Sequence, residues 1–373
     1  MQMLFNKKSL IFLLLVGNIV LVFGLLLAYL APYLSPAVCW PVAFFGLGYP
    51  IIVAANLAIS MLWLILRPRY ALLSLLTILA GINPLCRHWQ WNNSPGLDSQ
   101  NGITLVSFNV HDFSGLPDGV RKNAVQKNIF RFLKDTKPRI VCLQDLPFYN
   151  ADGSPLLPEL AHELGMKYYF PGSDRNGKRY KLSDAGLLSA YPVVGAGEVL
   201  MKGNSFAIFA DLLISSDTIR VYSIHLASTK LDEGKELLTT HGIAESGKRG
   251  IPRRSVHILK RLKSAFIIRA NQSKILSASI ARSPYPVIVC GDHNDTPQSY
   301  AIHSIRQGLT DSFVSRGKGF GRTYGESSIP LRIDYVMVSP CFVFDDHKTV
   351  NTGLSDHLPV VVKFVYHKKA GNE

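Results

Sequence analysis

Acidic side chains are almost missing from the first hundred residues. Asp98 stands alone there against Lys7, Lys8, Arg67, Arg69 and Arg87, and no charge of either sign lies between Lys8 and Arg67. A segment with so little polar surface is excluded as an ordinary water-solvated domain. Cysteine is scarce too, five in 373 residues. The odd count does not suggest a disulfide scaffold, and no zinc-ligand spacing is present. Cys142 and Cys290 fall in strand-like apolar runs and Cys39 in a hydrophobic stretch, where the thiol serves as a small core hydrophobe. There is no internal repeat and no low-complexity tract. Nor does an interleaved aromatic row accompany the polar motifs, as a groove that stacks single-stranded bases would require.

What the first hundred residues do hold is three apolar segments, 10–33, 38–66 and 70–85. A membrane-crossing helix takes about 20 residues. The first two segments are long enough, and the third is borderline. Lys7 and Lys8 ahead of a run that ends Ala-Tyr-Leu-Ala also have the outline of a cleaved signal peptide. The length of the run and the presence of the second span argue for an anchor. The positive-inside rule puts Lys7, Lys8, Arg67 and Arg69 in the cytoplasm. Three spans then place the rest of the chain on the extracytoplasmic, periplasmic side of the cell membrane; two would leave it cytoplasmic. Arg87 and His88 close the third segment with less charge than the inner loop, which favours three. Residues 1–91 are therefore expected to be a transmembrane region of about three helices, 92–102 a polar linker, and 103–373 a folded domain with 35 basic and 25 acidic residues.

In that domain, strand-like runs end in chemistry. Gly291-Asp292-His293-Asn294-Asp295 follows a β-branched run, and Gly291 allows a sharp turn. Asp292 and Asn294 point the same way in an extended chain, so one can take a proton from water while the other orients it. Ser355-Asp356-His357-Leu358-Pro359 sets a hard oxygen ligand beside an imidazole. Asp334, in Arg332-Ile333-Asp334-Tyr335, sits in a strand, where a charge is costly unless paired; it is placed to fix the tautomer of His357. Asn109 and Asp145 close two further apolar strands and can meet at one metal. His225 ends an alternating strand as a candidate acid or phosphate donor. Taken singly, each has a bland reading: a polar turn, an edge aspartate, a sheet histidine.

In order, these pieces, with Gln144-Asp145, Ser189 to Pro192 and His225-Leu226, resemble the endonuclease/exonuclease/phosphatase family from about residue 103 to 364. The resemblance implies a two-sheet α/β sandwich. It implies that Asn109 and Asp145 help hold Mg2+ or Mn2+, with Asp356 a further oxygen of that site. Asp292 would activate water that Asn294 orients, His225 would contact the phosphate or act as acid, and His357, paired with Asp334, would stabilise the transition state. The expected activity is metal-dependent phosphoester hydrolysis, by a phosphodiesterase or phosphatase. A nuclease or an inactive phosphate- or lipid-binding module is the alternative. Three positions depart from the family pattern: Asp145 replaces the usual glutamate, His111 stands where some nucleases carry an acid, and His293 replaces an apolar residue and is expected to be structural. Residues 230–280 are strongly basic, with Arg253, Arg254, Lys260, Arg261, Lys263, Arg269 and Lys274 interleaved with apolar positions. They form either a solvated face or a helix that lies on anionic lipid.

Overall fold

In the computed structural model, residues 7–92, 102–114, 122–150, 152–171, 185–229 and 251–367 are described. Most of the expected linker and residues 230–250 of the expected basic segment lie outside them. The N-terminal part forms helices α1 (Lys7–Leu30), α2 (Pro36–Leu47), α3 (Tyr49–Leu66), α4 (Pro68–Ala80) and α5 (Ile82–His88). Two of these, α1 and α3, are long and apolar enough to cross a membrane. The pair α4 and α5, bent by 67°, is at most one broken crossing.

The segment 38–66, expected to be one span, is two helices. Pro50 has no N–H to donate to the carbonyl of Gly46, so the helix stops at Leu47 and a new one starts with Pro50 in its first turn. Pro41 disturbs α2 in the same way, and Cys39 leaves helical geometry at φ −142°. Tyr29 packs on Tyr49 with ring centroids 6.1 Å apart, so α2 begins and ends at one end of the bundle. The bundle buries several polar side chains beside an apolar cluster of Leu25, Ala28, Tyr49, Val53 and Ile78, and its exterior is apolar. Asn18, Asn56, Ser60 and Ser74 are buried, and Asn56 donates to the carbonyls of Leu21 and Ile52, while Phe12, Val20, Ile65 and Leu76 are exposed. An apolar exterior around buried, hydrogen-bonded polar groups suits helices packed in hydrocarbon.

The remainder comprises β1 (Gln90–Trp91), β2 (Ile103–Asn109), α6 (Lys122–Thr136), β3 (Ile140–Gln144), α7 (Leu156–Glu163), β4 (Tyr168–Phe170), β5 (Gly186–Ser189), β6 (Val193–Met201), β7 (Asn204–Ile214) and β8 (Asp217–His225). These are followed by α8 (Ile251–Ala281), β9 (Val287–Asp292), α9 (Tyr300–Ile305), β10 (Thr310–Asp311), α10 (Ser312–Arg316), β11 (Lys318–Gly319), β12 (Asp334–Val338), β13 (Phe342–Thr349) and β14 (Val360–Tyr366). Two mixed six-stranded sheets, ordered β10-β12-β9-β8-β7-β6 and β13-β14-β2-β3-β5-β4, pack face to face as an α/β sandwich.

Alternation within each strand builds both faces. Leu105, Ile140 and Leu187 from one sheet meet Ile208, Val221, Ile288 and Val336 from the other. Val106, Phe108 and Val141 turn outward onto Val125, Ile129 and Leu133 of α6. On the opposite surface, Tyr222, Val289 and Met337 take Leu276 of α8 and Ile302 of α9. Each such fully buried side chain contributes roughly 1.5–3 kcal/mol. Between the sheets, the buried Gln144 donates to Ser223 Oγ at 3.0 Å.

Candidate active site

The parallel pairs β2–β3 and β8–β9 bring Asn109 beside Gln144 and His225 beside Asp292. The antiparallel pair β9–β12 sets Asp334 opposite Asp292. Four C-terminal strand ends and one N-terminal end therefore place polar side chains at one end of the sandwich. Gly291 is required there. Its φ is +134°, and a Cβ would lie 2.1 Å from the carbonyl oxygen of Ile224 on the neighbouring strand.

Asp292 is the hub. Its Oδ2 receives Asn109 Nδ2 at 2.9 Å and Asn294 Nδ2 at 3.0 Å, and its Oδ1 receives the Asn294 backbone N–H at 2.8 Å. The Nε2 atoms of His225 and His357 lie 3.6 and 3.8 Å from the same Oδ2. Asn294, held at φ 53°, also donates to the Leu226 carbonyl at 2.9 Å. Both its amide hydrogens are thus engaged, and its oxygen is the atom left to orient a water.

Asp334 Oδ2 accepts from His357 Nδ1 at 3.0 Å. Thr323 Oγ1 accepts the Asp334 backbone N–H at 3.0 Å and fixes the start of β12. Burial pushes the Asp292 carboxyl up to about 6; the charge of Asp334 adds to that, while His357 and His225 oppose it. Burial works against a charged His357 ring as well. There the carboxylates of Asp334 and Asp292 outweigh it and push the imidazole up to about 10. The centre thus sets an imidazole pushed toward its charged form between two carboxyl groups, of which Asp292 is pushed toward its neutral form.

The other expected residues gather beside this centre. Asp356 Oδ1 lies 2.6 Å from His111 Nδ1, and the His111 backbone N–H donates to Asn109 Oδ1 at 3.1 Å. The Asp145 carbonyl accepts the Asp112 N–H at 2.8 Å. Asp145 follows the residue paired with Asn109, and its φ of 48° turns the chain out of β3. Ser355 Oγ donates to the Asn109 carbonyl at 2.9 Å. Asn109 and Asp356 both contact His111, Asp145 follows the residue paired with Asn109, and all three carry hard side-chain oxygens, the chemistry that suits a small divalent cation. Ligand atoms of Asp292, Asp334 and His357 also all lie within 4.8 Å of one another, so this Asp/His cluster is itself a candidate metal site.

His293 is buried, its Nδ1 within 2.9 Å of the Gly291 carbonyl and its ring 4.8 Å from that of Tyr335. Burial drops its pKa to about 4, so it is a neutral packing residue. Sequence reasoning missed the clamp on the loops. Arg269, expected on a basic face, is 2% exposed and binds Asp295 Oδ2 at 3.0 Å and the Ala227 carbonyl at 3.0 Å. Gln272 accepts the Ala227 N–H at 2.9 Å. No local signal separates Arg269 from its exposed neighbours. Its partner, Asp295, is the last residue of the Gly-Asp-His-Asn-Asp run, in which sequence reading gave roles only to Asp292 and Asn294.

Residues 106–357 match the model of the endonuclease/exonuclease/phosphatase family, and residues 9–88 match a model described as a domain of unknown function. No curated protein matches the sequence. Solved structures resemble the fold. An endonuclease/exonuclease/phosphatase from Beutenbergia cavernae is 17% identical, covering 71% of this chain and 72% of its own, with a TM-score of 0.48. The catalytic domain of human Nocturnin with a bound sulfate anion is 16% identical over 72% and 96%, with a TM-score of 0.47. A family protein from Bacteroides thetaiotaomicron is 14% identical over 72% and 98%, with a TM-score of 0.48.

Proposed function

The chain belongs to the endonuclease/exonuclease/phosphatase family, whose members are generally phosphoester hydrolases using divalent metals, and from that premise we propose a membrane-anchored, metal-dependent phosphodiesterase or phosphatase in which Asp292 activates water. The observation that carries this reading is the convergence of Asn109, Asn294, His225 and His357 on one buried carboxylate oxygen of Asp292.

Asn109, Asp145 and Asp356 would hold the ion, Mg2+ or Mn2+. When bound, it supplies Lewis-acid neutralisation of charge on the phosphoryl oxygens. The protein's own groups do the rest. Asp292 accepts the proton of a water that the Asn294 oxygen orients. The two amides holding the carboxylate stop it from turning away. His225, 15% exposed beside that carboxylate, meets a phosphoryl oxygen or protonates the departing one. Asp334 keeps His357 charged, so a fixed positive charge faces the place where negative charge develops.

The helices fit a cell-membrane anchor. Tyr29 Oη donates to the Thr77 carbonyl at 3.0 Å, which brings the end of α4 back beside the end of α1. The sandwich then follows at the end of the bundle opposite Lys7, Lys8, Arg67 and Arg69. With the positive-inside rule, that arrangement supports an extracytoplasmic, periplasmic catalytic domain and a multi-pass anchor.

The test is hydrolysis of bis-p-nitrophenyl phosphate by the full chain in detergent, with Mg2+, with Mn2+ and with chelator. Asp292→Asn keeps the shape and removes the proton acceptor. Turnover should fall by about 10³-fold with unchanged circular dichroism. Equal turnover in the variant would reject Asp292 as the base.

A further inference from the structure

We propose that the substrate is a phosphoester in the headgroup of a membrane lipid, drawn from the same bilayer that holds the chain's own helices. The inference rests on the hydrolase reading above and narrows its substrate.

The site end of the sandwich is the end seated on the helix bundle. Gln298, six residues past Asp292, donates to the Ala28 carbonyl at 3.1 Å, at the end of α1. Its own backbone presses on α2 so closely that a Cβ on Gly46 would lie 2.5 Å from the Gln298 carbonyl oxygen. Arg332, two residues before Asp334, donates to the Arg87 carbonyl at 3.0 Å, at the end of α5. Tyr33 meets His303 of α9 at 4.7 Å, and Phe44 of α2 meets Phe266 of α8 at 5.2 Å. A residue spans at most ~3.6 Å, so these separations keep Asp292 and Asp334 within roughly 20 Å of the bundle end. An enzyme built for solutes or polymers in free solution gains nothing from turning its site toward its anchor.

The surface beside the seat has the composition of a lipid contact. On α8, Val256 and Leu259 are 50% and 43% exposed and share a helical face with Lys260 and Lys263. Lys263 Nζ lies 5.0 Å from the ring centroid of Trp40 on α2. The stripe therefore runs into the apolar helix that begins and ends at the catalytic end of the bundle, where Val38 and Tyr33 are also exposed. Apolar side chains with lysines and a tryptophan at one level suit the boundary between acyl chains and anionic headgroups. A soluble phosphoester uses none of these groups, whereas a lipid held at this level presents its phosphate at the height of the site.

The test places the full chain in nanodiscs of equimolar phosphatidylglycerol and phosphatidylethanolamine doped with phosphatidic acid, which offer diester and monoester phosphates. With Mn2+, release of headgroup or inorganic phosphate from these lipids is compared with hydrolysis of bis-p-nitrophenyl phosphate added to the same discs. The rate on lipid should follow its mole fraction in the bilayer rather than its bulk concentration. The double variant Lys260→Glu, Lys263→Glu should lower the ratio of lipid to soluble turnover by about tenfold. If the soluble diester is cleaved and no bilayer lipid is, the lipid inference is overturned and the hydrolase stands. If neither is cleaved while electron paramagnetic resonance shows Mn2+ bound, the hydrolase reading fails and takes this proposal with it. An unchanged ratio in the double variant would remove the role assigned to α8.

Discussion

Two sets of buried charges sit a few residues apart and are built on opposite plans. Arg269 with Asp295 at 3.0 Å and Arg332 with Asp311 at 2.8 Å are balanced pairs, one guanidinium to one carboxylate, all four side chains nearly sealed from water. Asp292, Asp334 and His357 are unbalanced, two carboxylates about one imidazole, with a second imidazole and two amides leaning in. The balanced pairs bolt the loops that carry the site: Asp295 ends the Asp292 loop, and Arg332 precedes Asp334. The unbalanced set is the one to which the proposed function assigns the proton transfer. Charge neutrality is kept where position matters and withheld where chemistry is needed.

Substitutions can break that contrast. The largest effect after loss of Asp292 is expected from Arg269→Ala, which strands the Asp295 carboxylate in the interior and should destabilise the chain by about 3–5 kcal/mol. Chemical denaturation in detergent reads this directly, and a midpoint within error of wild type would show Asp295 to be solvated. Asp334→Asn should behave the other way. It removes one of two crowded carboxylates, so the unfolding midpoint should move less than for Arg269→Ala, while turnover falls about 10²-fold as His357 loses the charge that keeps it protonated. If Asp334→Asn unfolds the chain and spares turnover, the division between bolt and engine is wrong. The smallest effect is in pH. The carboxyl of Asp292 sits near 6, raised chiefly by burial, and a base must be ionised to work. Turnover should therefore rise with pH up to about 6 and level off above it, losing about tenfold per unit on the acid side. A flat profile between pH 5 and 7 would separate turnover from Asp292.

Legibility from sequence followed the range of the interaction. Strand tips are readable because alternation and β-branching are local, and so Asn109, His225 and Asp292 read from sequence as strand ends, Asp334 as a residue within a strand and His357 as part of a motif leading into one. The pairing of His357 with Asp334 was inferable from cost, since a carboxylate in an apolar strand needs a partner. The His111–Asp356 contact, at 2.6 Å, was not readable. It depends on three consecutive residues, His111, Asp112 and Phe113, at φ 48°, 49° and 56°, and a run of three non-glycine residues at positive φ, one of them a phenylalanine, is not announced by the sequence. The inward turn of Arg269 was hidden for a related reason: its partner is 26 residues away, and its helix carries other basic side chains that do face solvent. The split of 38–66 at Gly48 was written in Pro50, and hydrophobic length outweighed it.

The short strand β1 leaves the last helix and pairs with β11 of the sandwich, Gln90 with Gly319 and Trp91 with Lys318. Trp89 meets Phe320 at 4.4 Å, and Asn92 donates to the Ser315 carbonyl. The chain is thus fastened to the catalytic part before the polar segment that follows has begun. An enzyme on a string sweeps a dome whose radius is its tether. This one has no dome: lengthening residues 93–101 would not extend its working distance.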